Sequence, residues 1–136
     1  MAKTALVTGA SSGIGREIAR DLSARGFRVI LSARREERLR ELAEELGDNT
    51  RVVVCDVSDR EECLRLYEET KSEKISVLVN CAGFGAVGSF DKLPLDTELK
   101  MIDTNVTAVH MLTKLFLKDF VAADRGYICL LYTSPS

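Results

Sequence analysis

Short apolar runs alternate along this chain with longer segments whose apolar residues recur at helical spacing. The runs cover residues 3–8, 27–32, 51–55 and 75–79, and a fifth begins over 126–131. They are apolar nearly throughout, which is how a strand reads when both faces of its sheet are covered. The helical segments between them span 14–24, 35–46, a third from a cap at Asp59 to about residue 73, a short piece over 95–101, and 105–122. Ile14, Ile18, Ala19 and Leu22 share one face of the first, and Leu39, Leu42, Ala43 and Leu46 one face of the second. Gly26 and Gly47 end these two. Glu62 stands at capping-box spacing from Asp59. The last helix is expected to pack through Val106, Val109, Leu112, Thr113 and Phe116. The order β-α-β-α-β-α-β-α-β calls for parallel strands with helical crossovers, and so for one doubly wound α/β domain.

Where the first strand meets the first helix the chain reads TGASSGIG, with Gly9, Gly13 and Gly15 inside seven residues. Glycine loses more freedom on folding than any other residue, so three at one junction need a purpose. Backbone without side chains can approach a diphosphate, and the free N–H groups opening the helix then face the anion. Ser11 and Ser12 add hydroxyl donors without bulk. A tight turn alone would also use glycine. No Lys follows Gly13 or Gly15, so this is not the G-x-x-x-x-G-K-S/T phosphate loop, and the spacing differs from G-x-G-x-x-G. Arg34 follows the second run, Asp56 the third, and Asn80 to Gly83 the fourth. All these groups thus fall at the carboxyl ends of strands, the edge where open parallel sheets bind ligands.

TGASSGIG resembles the T-G-x-x-x-G-x-G motif of the short-chain dehydrogenase/reductase family. Cys55-Asp56-Val57 resembles that family's Asp-Val/Leu step after the third strand. Asn80-Cys81-Ala82-Gly83 resembles its Asn-Asn-Ala-Gly motif, with Cys81 in place of the second Asn. Asn105, in MIDTNVTAV, resembles the helix Asn of its catalytic tetrad. The resemblance runs to about Ile128. It implies a Rossmann-like doubly wound parallel sheet, here truncated after about the fifth strand. It also implies an NAD(P)-dependent oxidoreductase moving hydride between nicotinamide and a carbonyl or alcohol substrate. Gly9, Ser11, Ser12, Gly13, Ile14 and Gly15 would then bind cofactor at the first turn, Asp56 and Val57 at the adenine, and Asn80, Ala82 and Gly83 after the fourth strand.

Dehydrogenases that prefer NAD place an acid after the second strand for the ribose 2′-hydroxyl. Ala33 stands there, followed by Arg34 and Arg35. Arginine matches phosphate geometry, so NADP is the expected cofactor, with NAD the alternative. The same arginines also begin a charged helix face that Arg38 and Arg40 continue. In the resembled family a Tyr is the general acid/base, a Lys four residues on lowers its pKa, a Ser holds the carbonyl, and the Asn supports a proton relay. Of these positions only Asn105 is matched. Tyr132 has Ser136 where that Lys would be, and Thr133 and Ser134 fall near the place of the Ser. CLLYTSPS does not read like the family's strand-to-Ser segment. Residues 1–128 are therefore expected to be an incomplete dinucleotide-binding domain, and 129–136 a non-native tail read as translated sequencing adapter. Such a fragment would be inactive and prone to associate through an open sheet edge.

Charge and composition exclude other classes. Net charge is -2 with acids and bases interspersed, unlike the basic stripe of a nucleic-acid binder. No apolar run approaches the ~20 residues of a membrane span, and no signal-peptide core is visible, which reads as cytoplasmic. The four cysteines form no C-x-x-C pair and read as reduced, buried thiols. His110 has no partner at ligand spacing, so no metal is expected. The glycine-rich loop over 84–90 is a candidate pocket wall. Relatives pair through long helices, so the full-length protein is expected to be a homo-oligomer to which 105–122 contributes. A dinucleotide-binding sensor without turnover, or a flavin or other nucleotide domain, are the competing functions.

Overall fold

The computed structural model describes residues 3–11, 13–83 and 91–130. Ser12, the loop 84–90 and residues 132–134 of the sequence reading lie outside the described residues. Strands β1 (Thr4–Thr8), β2 (Arg28–Ala33), β3 (Thr50–Val54), β4 (Ile75–Asn80) and β5 (Tyr127–Leu130) form one sheet in the order β3-β2-β1-β4-β5. Every neighbouring pair is parallel. The chain builds outward from β1 to β3, then returns to place β4 on the other side of β1. That reversal makes the β1/β4 junction the switch point, where a crevice opens beyond the carboxyl ends of the strands.

Helices α1 (Gly13–Ala24) and α2 (Glu36–Leu46) cover one face, and α3 (Arg60–Thr70) and α5 (Ala108–Ala123) the other; α4 (Leu95–Ile102) leads into α5. Alternate residues of each strand enter opposite cores. Val7, Val29, Leu31 and Val79 pack with Ala19, Leu39 and Leu42. Leu6, Ile30, Val53 and Leu78 pack with Cys63, Leu66, Leu112, Phe116 and Phe120. Both faces being buried is why the strands are apolar at successive residues. Phe116 also meets Tyr67 edge-on at 5.1 Å between ring centroids.

Two local expectations differ from what the chain does. Asp59 caps α3 by accepting from Glu61 N–H at 2.9 Å. Glu62 does not complete a capping box: Asp59 N–H donates to Asp56 O at 3.1 Å, and the Glu62 carboxylate takes Arg65 at 2.7 Å instead. The last helix is entered through a π-helical turn, Asp103–Thr107, closed by Ala108 N–H donating to Asp103 O. The turn shifts the helical phase. Leu112 and Phe116 point inward as expected, joined by Ala108 and Phe120, whereas Val106 is 56% exposed and Val109 and Thr113 are only half-buried.

Candidate functional site

The carboxyl ends of β1 and β4 approach so closely that only glycine fits between them. At Gly9 φ is +63°, and a Cβ there would lie 2.6 Å from Cys81 O and 2.7 Å from Ala82 N. The first turn of α1 rests on the same spot, since a Cβ on Gly15 would stand 2.2 Å from Gly9 O. Thr8 holds the junction. Its buried Oγ1 accepts from Cys81 N–H and from Ala82 N–H, each at 3.2 Å, and donates to Val79 O at 3.4 Å. Ala10 N–H donates to Ser32 O at 3.1 Å and ties the turn to β2. Gly13 differs from Gly9: its φ is +59°, yet a Cβ would meet nothing within 4 Å. Its missing side chain leaves open the mouth of a cleft.

That cleft has a volume of about 450 Å³ and runs along the carboxyl edge of the sheet. Gly9, Ser11, Gly13, Ile14 and Gly15 form its wall at the β1–α1 turn; Arg34 and Arg35 bound it after β2. Asp56 and Val57 line it after β3, and Ala82 and Gly83 after β4. The first turn of α1 carries no acid, whereas α2 has Glu36 and Glu37 there and α3 has Glu61 and Glu62. The positive end of the α1 dipole therefore faces the cleft without a carboxylate to neutralise it. Among the described residues Arg34 and Arg35 hold no ion pair, as is also true of Arg16, Arg38, Arg60 and Arg125, but of these six only Arg34 and Arg35 line the cleft.

Asp56 supplies the carboxylate at the far end. Its Oδ1 accepts from Ser58 Oγ at 2.7 Å and Ser58 N–H at 3.0 Å. Its Oδ2 faces Lys100 Nζ at 4.0 Å. Partial burial acts to raise the Asp56 pKa, but the Ser58 hydrogen bonds and the charges of Lys100 and Arg34 outweigh it, so the pKa lies below the ordinary value. Asp56 is thus an ionised acceptor. Cys55 and Cys81 also border the cleft. Burial first, then neighbouring Cys63 and Cys129 respectively, pushes each thiol up to about 12, so neither is a nucleophile near neutrality.

Two residues picked from the sequence do not line this cleft. Asn80 is buried, its amide donating to Thr113 Oγ1 at 3.4 Å. Asn105 sits in the π-helical turn with its Oδ1 against Gly83, where a Cβ would come within 2.8 Å of it. It lines a second, apolar groove on α5 with Val106, Val109, Thr113, Leu117 and Val121. Ser32, Cys55, Cys81 and Thr104, which the sequence motifs do not assign to a site, also border the cleft. The Ser32 Oγ is buried with no hydrogen-bond partner among the described residues. A hydroxyl directly after the apolar run 29–31 is the available signal for Ser32, as one directly after 5–7 is for Thr8. Among the described residues no cluster of three His, Cys, Asp or Glu side chains could hold a metal. No helix there is long and apolar enough to cross a membrane.

The arrangement fits a dinucleotide chemically. Backbone donors and an uncompensated helix end suit a diphosphate, unmatched guanidinium groups suit a further phosphate, and a carboxylate suits an amino group. The profile described as short chain dehydrogenase matches residues 3–132. An uncharacterised oxidoreductase of Staphylococcus saprophyticus is 36% identical over 132 residues, covering 93% of this chain and 56% of its own length. The 3-oxoacyl-acyl-carrier-protein reductase FabG of Rickettsia prowazekii is 36% identical over 126 residues, covering 93% and 52%. A crystal structure of a metagenomic short-chain oxidoreductase in complex with NADP superposes with a TM-score of 0.92 at 32% identity, covering 98% of this chain and 63% of the other. The chain spans about half the length of the curated relatives it matches.

Proposed function

Because the chain belongs to the short-chain dehydrogenase family, we propose that its described residues are the cofactor-binding part of an NADP-dependent oxidoreductase acting on a carbonyl or alcohol substrate. NADP, when bound, supplies the hydride chemistry. The protein supplies binding and orientation. Gly9, Ser11, Ser12, Gly13, Ile14 and Gly15 would hold the diphosphate, and Asp56 and Val57 the adenine. Ala82 and Gly83, with Asn80 behind them, would form the wall at the nicotinamide end. Asn105, beside Gly83, would serve the proton relay that the resemblance implies.

One observation carries the reading: a positive-φ glycine turn packed against β4 and opening onto an acid-free helix start, at the switch point of the sheet. The choice of NADP over NAD rests on Ala33 where an acid would hold the 2′-hydroxyl, with Arg34 and Arg35 lining the cleft beside it. Likeness to a 3-oxoacyl reductase makes a 3-oxoacyl thioester the first substrate class to try on the full-length protein. That protein would also self-associate, with the exposed Val106 of the π-helical turn and Leu117 and Val121 of α5 as a candidate contact. Because the serine and the Tyr-x-x-x-Lys of the family are not matched here, the chain of 136 residues would bind cofactor without turnover. Titration with NADPH and NADH tests the reading. NADPH is expected to bind more tightly, and Arg34→Ala to narrow the gap; equal affinities in the wild type would overturn the Arg34 assignment, and no binding of either would overturn the function.

A further inference from the structure

We propose that Lys100 is a positioning residue for the adenine end of the cleft, turning the free oxygen of Asp56 toward an incoming amino group; this rests on the nucleotide reading above. Helix α4 buries none of its residues fully and leaves Leu95, Leu99 and Ile102 exposed. Among the described residues its only ion pair is Lys100 Nζ to Asp56 Oδ2, at 4.0 Å. Asp56 is anchored from the opposite side, where Ser58 places both its hydroxyl and its N–H on Oδ1. Two bonds to one oxygen set the carboxylate plane and leave Oδ2 as the remaining acceptor. The ammonium stands beyond hydrogen-bond range, so it attracts Oδ2 without filling its lone pairs. Arg34 and Glu62 are the other charged groups that act on Asp56.

A fixed carboxylate acceptor distinguishes purines. It welcomes the 6-amino donor of adenine and repels the 6-oxo acceptor of hypoxanthine. The pair is part-exposed, with side chains 47% and 38% accessible, so its effect is a screened one of about 2- to 5-fold.

The test compares 5′-AMP with inosine 5′-monophosphate, each displacing NADPH from the chain of 136 residues. The wild type is expected to prefer 5′-AMP. Lys100→Met should weaken 5′-AMP by about 2- to 5-fold and the inosine nucleotide less, so that the ratio narrows. Lys100→Arg should restore it, and Lys100→Met should change nothing further in an Asp56→Asn background. A ratio unchanged by Lys100→Met, an equal loss for both nucleotides, or no recovery with arginine overturns the assignment while leaving the NADPH reading intact. A wild type that binds neither NADPH nor 5′-AMP overturns both.

Discussion

Replacing Gly9 with alanine probes the junction on which the cleft is built. Alanine must adopt φ +63°, at a cost of about 1–2 kcal/mol. Its methyl must also find room 2.6 Å from Cys81 O and 2.7 Å from Ala82 N. Those are backbone atoms, pinned by the Thr8 hydroxyl, so no flexible side chain can give way. Such overpacking costs about 1–3 kcal/mol more. The total, about 2–5 kcal/mol, is a large part of the 5–15 kcal/mol that holds a typical domain together. At about 4 °C per kcal/mol for a chain of this length, Tm should drop by about 8–20 °C. Gly13→Ala is the control. It carries the same backbone strain at φ +59° but no contact within 4 Å, so Tm should fall by only about 4–8 °C. Its methyl would instead stand in the cleft mouth and displace a backbone–phosphate contact, weakening NADPH by about tenfold or more. Thermal unfolding by circular dichroism and fluorescence titration with NADPH read the two effects separately. A Gly9→Ala protein melting within 2–3 °C or so of wild type refutes the packing argument. A Gly13→Ala protein as unstable as Gly9→Ala refutes the distinction between a filled and an open position.

Thr8→Val removes the acceptor shared by Cys81 N–H and Ala82 N–H while keeping the shape; urea unfolding should show a loss of about 2–4 kcal/mol, and Thr8→Ser less than about 1. Glu73 accepts from Arg28 at 2.8 Å and also pairs with Arg51; burial acts to raise its pKa, but the two guanidinium groups outweigh it and the pKa is lowered. Its contribution is therefore present above the ordinary glutamate value near 4.3 and lost as pH falls through the lowered folded value. Glu73→Gln should be less stable than wild type at about pH 7, with the gap closing below about pH 4; a constant gap contradicts this. Burial raises Cys55 and Cys81 to about 12 and Cys63 to about 11, so all three should alkylate slowly at about pH 8 in the folded chain and quickly in denaturant. By the same linkage the unfolded thiolates form first, and stability should decline as pH rises past about 8.5.

The parts of the site legible in the sequence are those set by local chemistry. Gly9, Gly13 and Gly15 announce a turn, and Arg34 and Asp56 stand within two residues of a strand end, so each could be placed on the carboxyl edge from its own neighbours. Thr8 could not. Its partners lie 73 and 74 residues away, and they meet it only because β4, not β2 alone, lies beside β1. The need for glycine at residue 9 has the same origin, since the atoms that exclude a side chain belong to Cys81 and Ala82. Lys100 was hidden for a related reason: nothing local distinguishes it from the charged face of any short helix, and its role is set by where α4 passes over Asp56.

The entry to α5 shows what periodicity leaves open. This helix carries two apolar stripes, one through Ala108, Leu112, Phe116 and Phe120, the other through Val106, Val109, Leu117 and Val121. A 3.6-residue repeat establishes that a helix forms but does not select between them. The phenylalanines do, because they bury the greater area and Phe116 can stack on Tyr67. On an unbroken helix, residue 105 would share the inward stripe with 108, 112 and 116 by i, i+3, i+7 and i+11 spacing, burying an amide in an apolar core. The π-helical turn resolves that conflict. It brings Thr104 to the inward place, 8% exposed, and swings Asn105 to the surface against Gly83. A polar residue at a core phase thus required a local defect in the helix, and that defect sets the amide against Gly83, on the far side of a residue that lines the cleft.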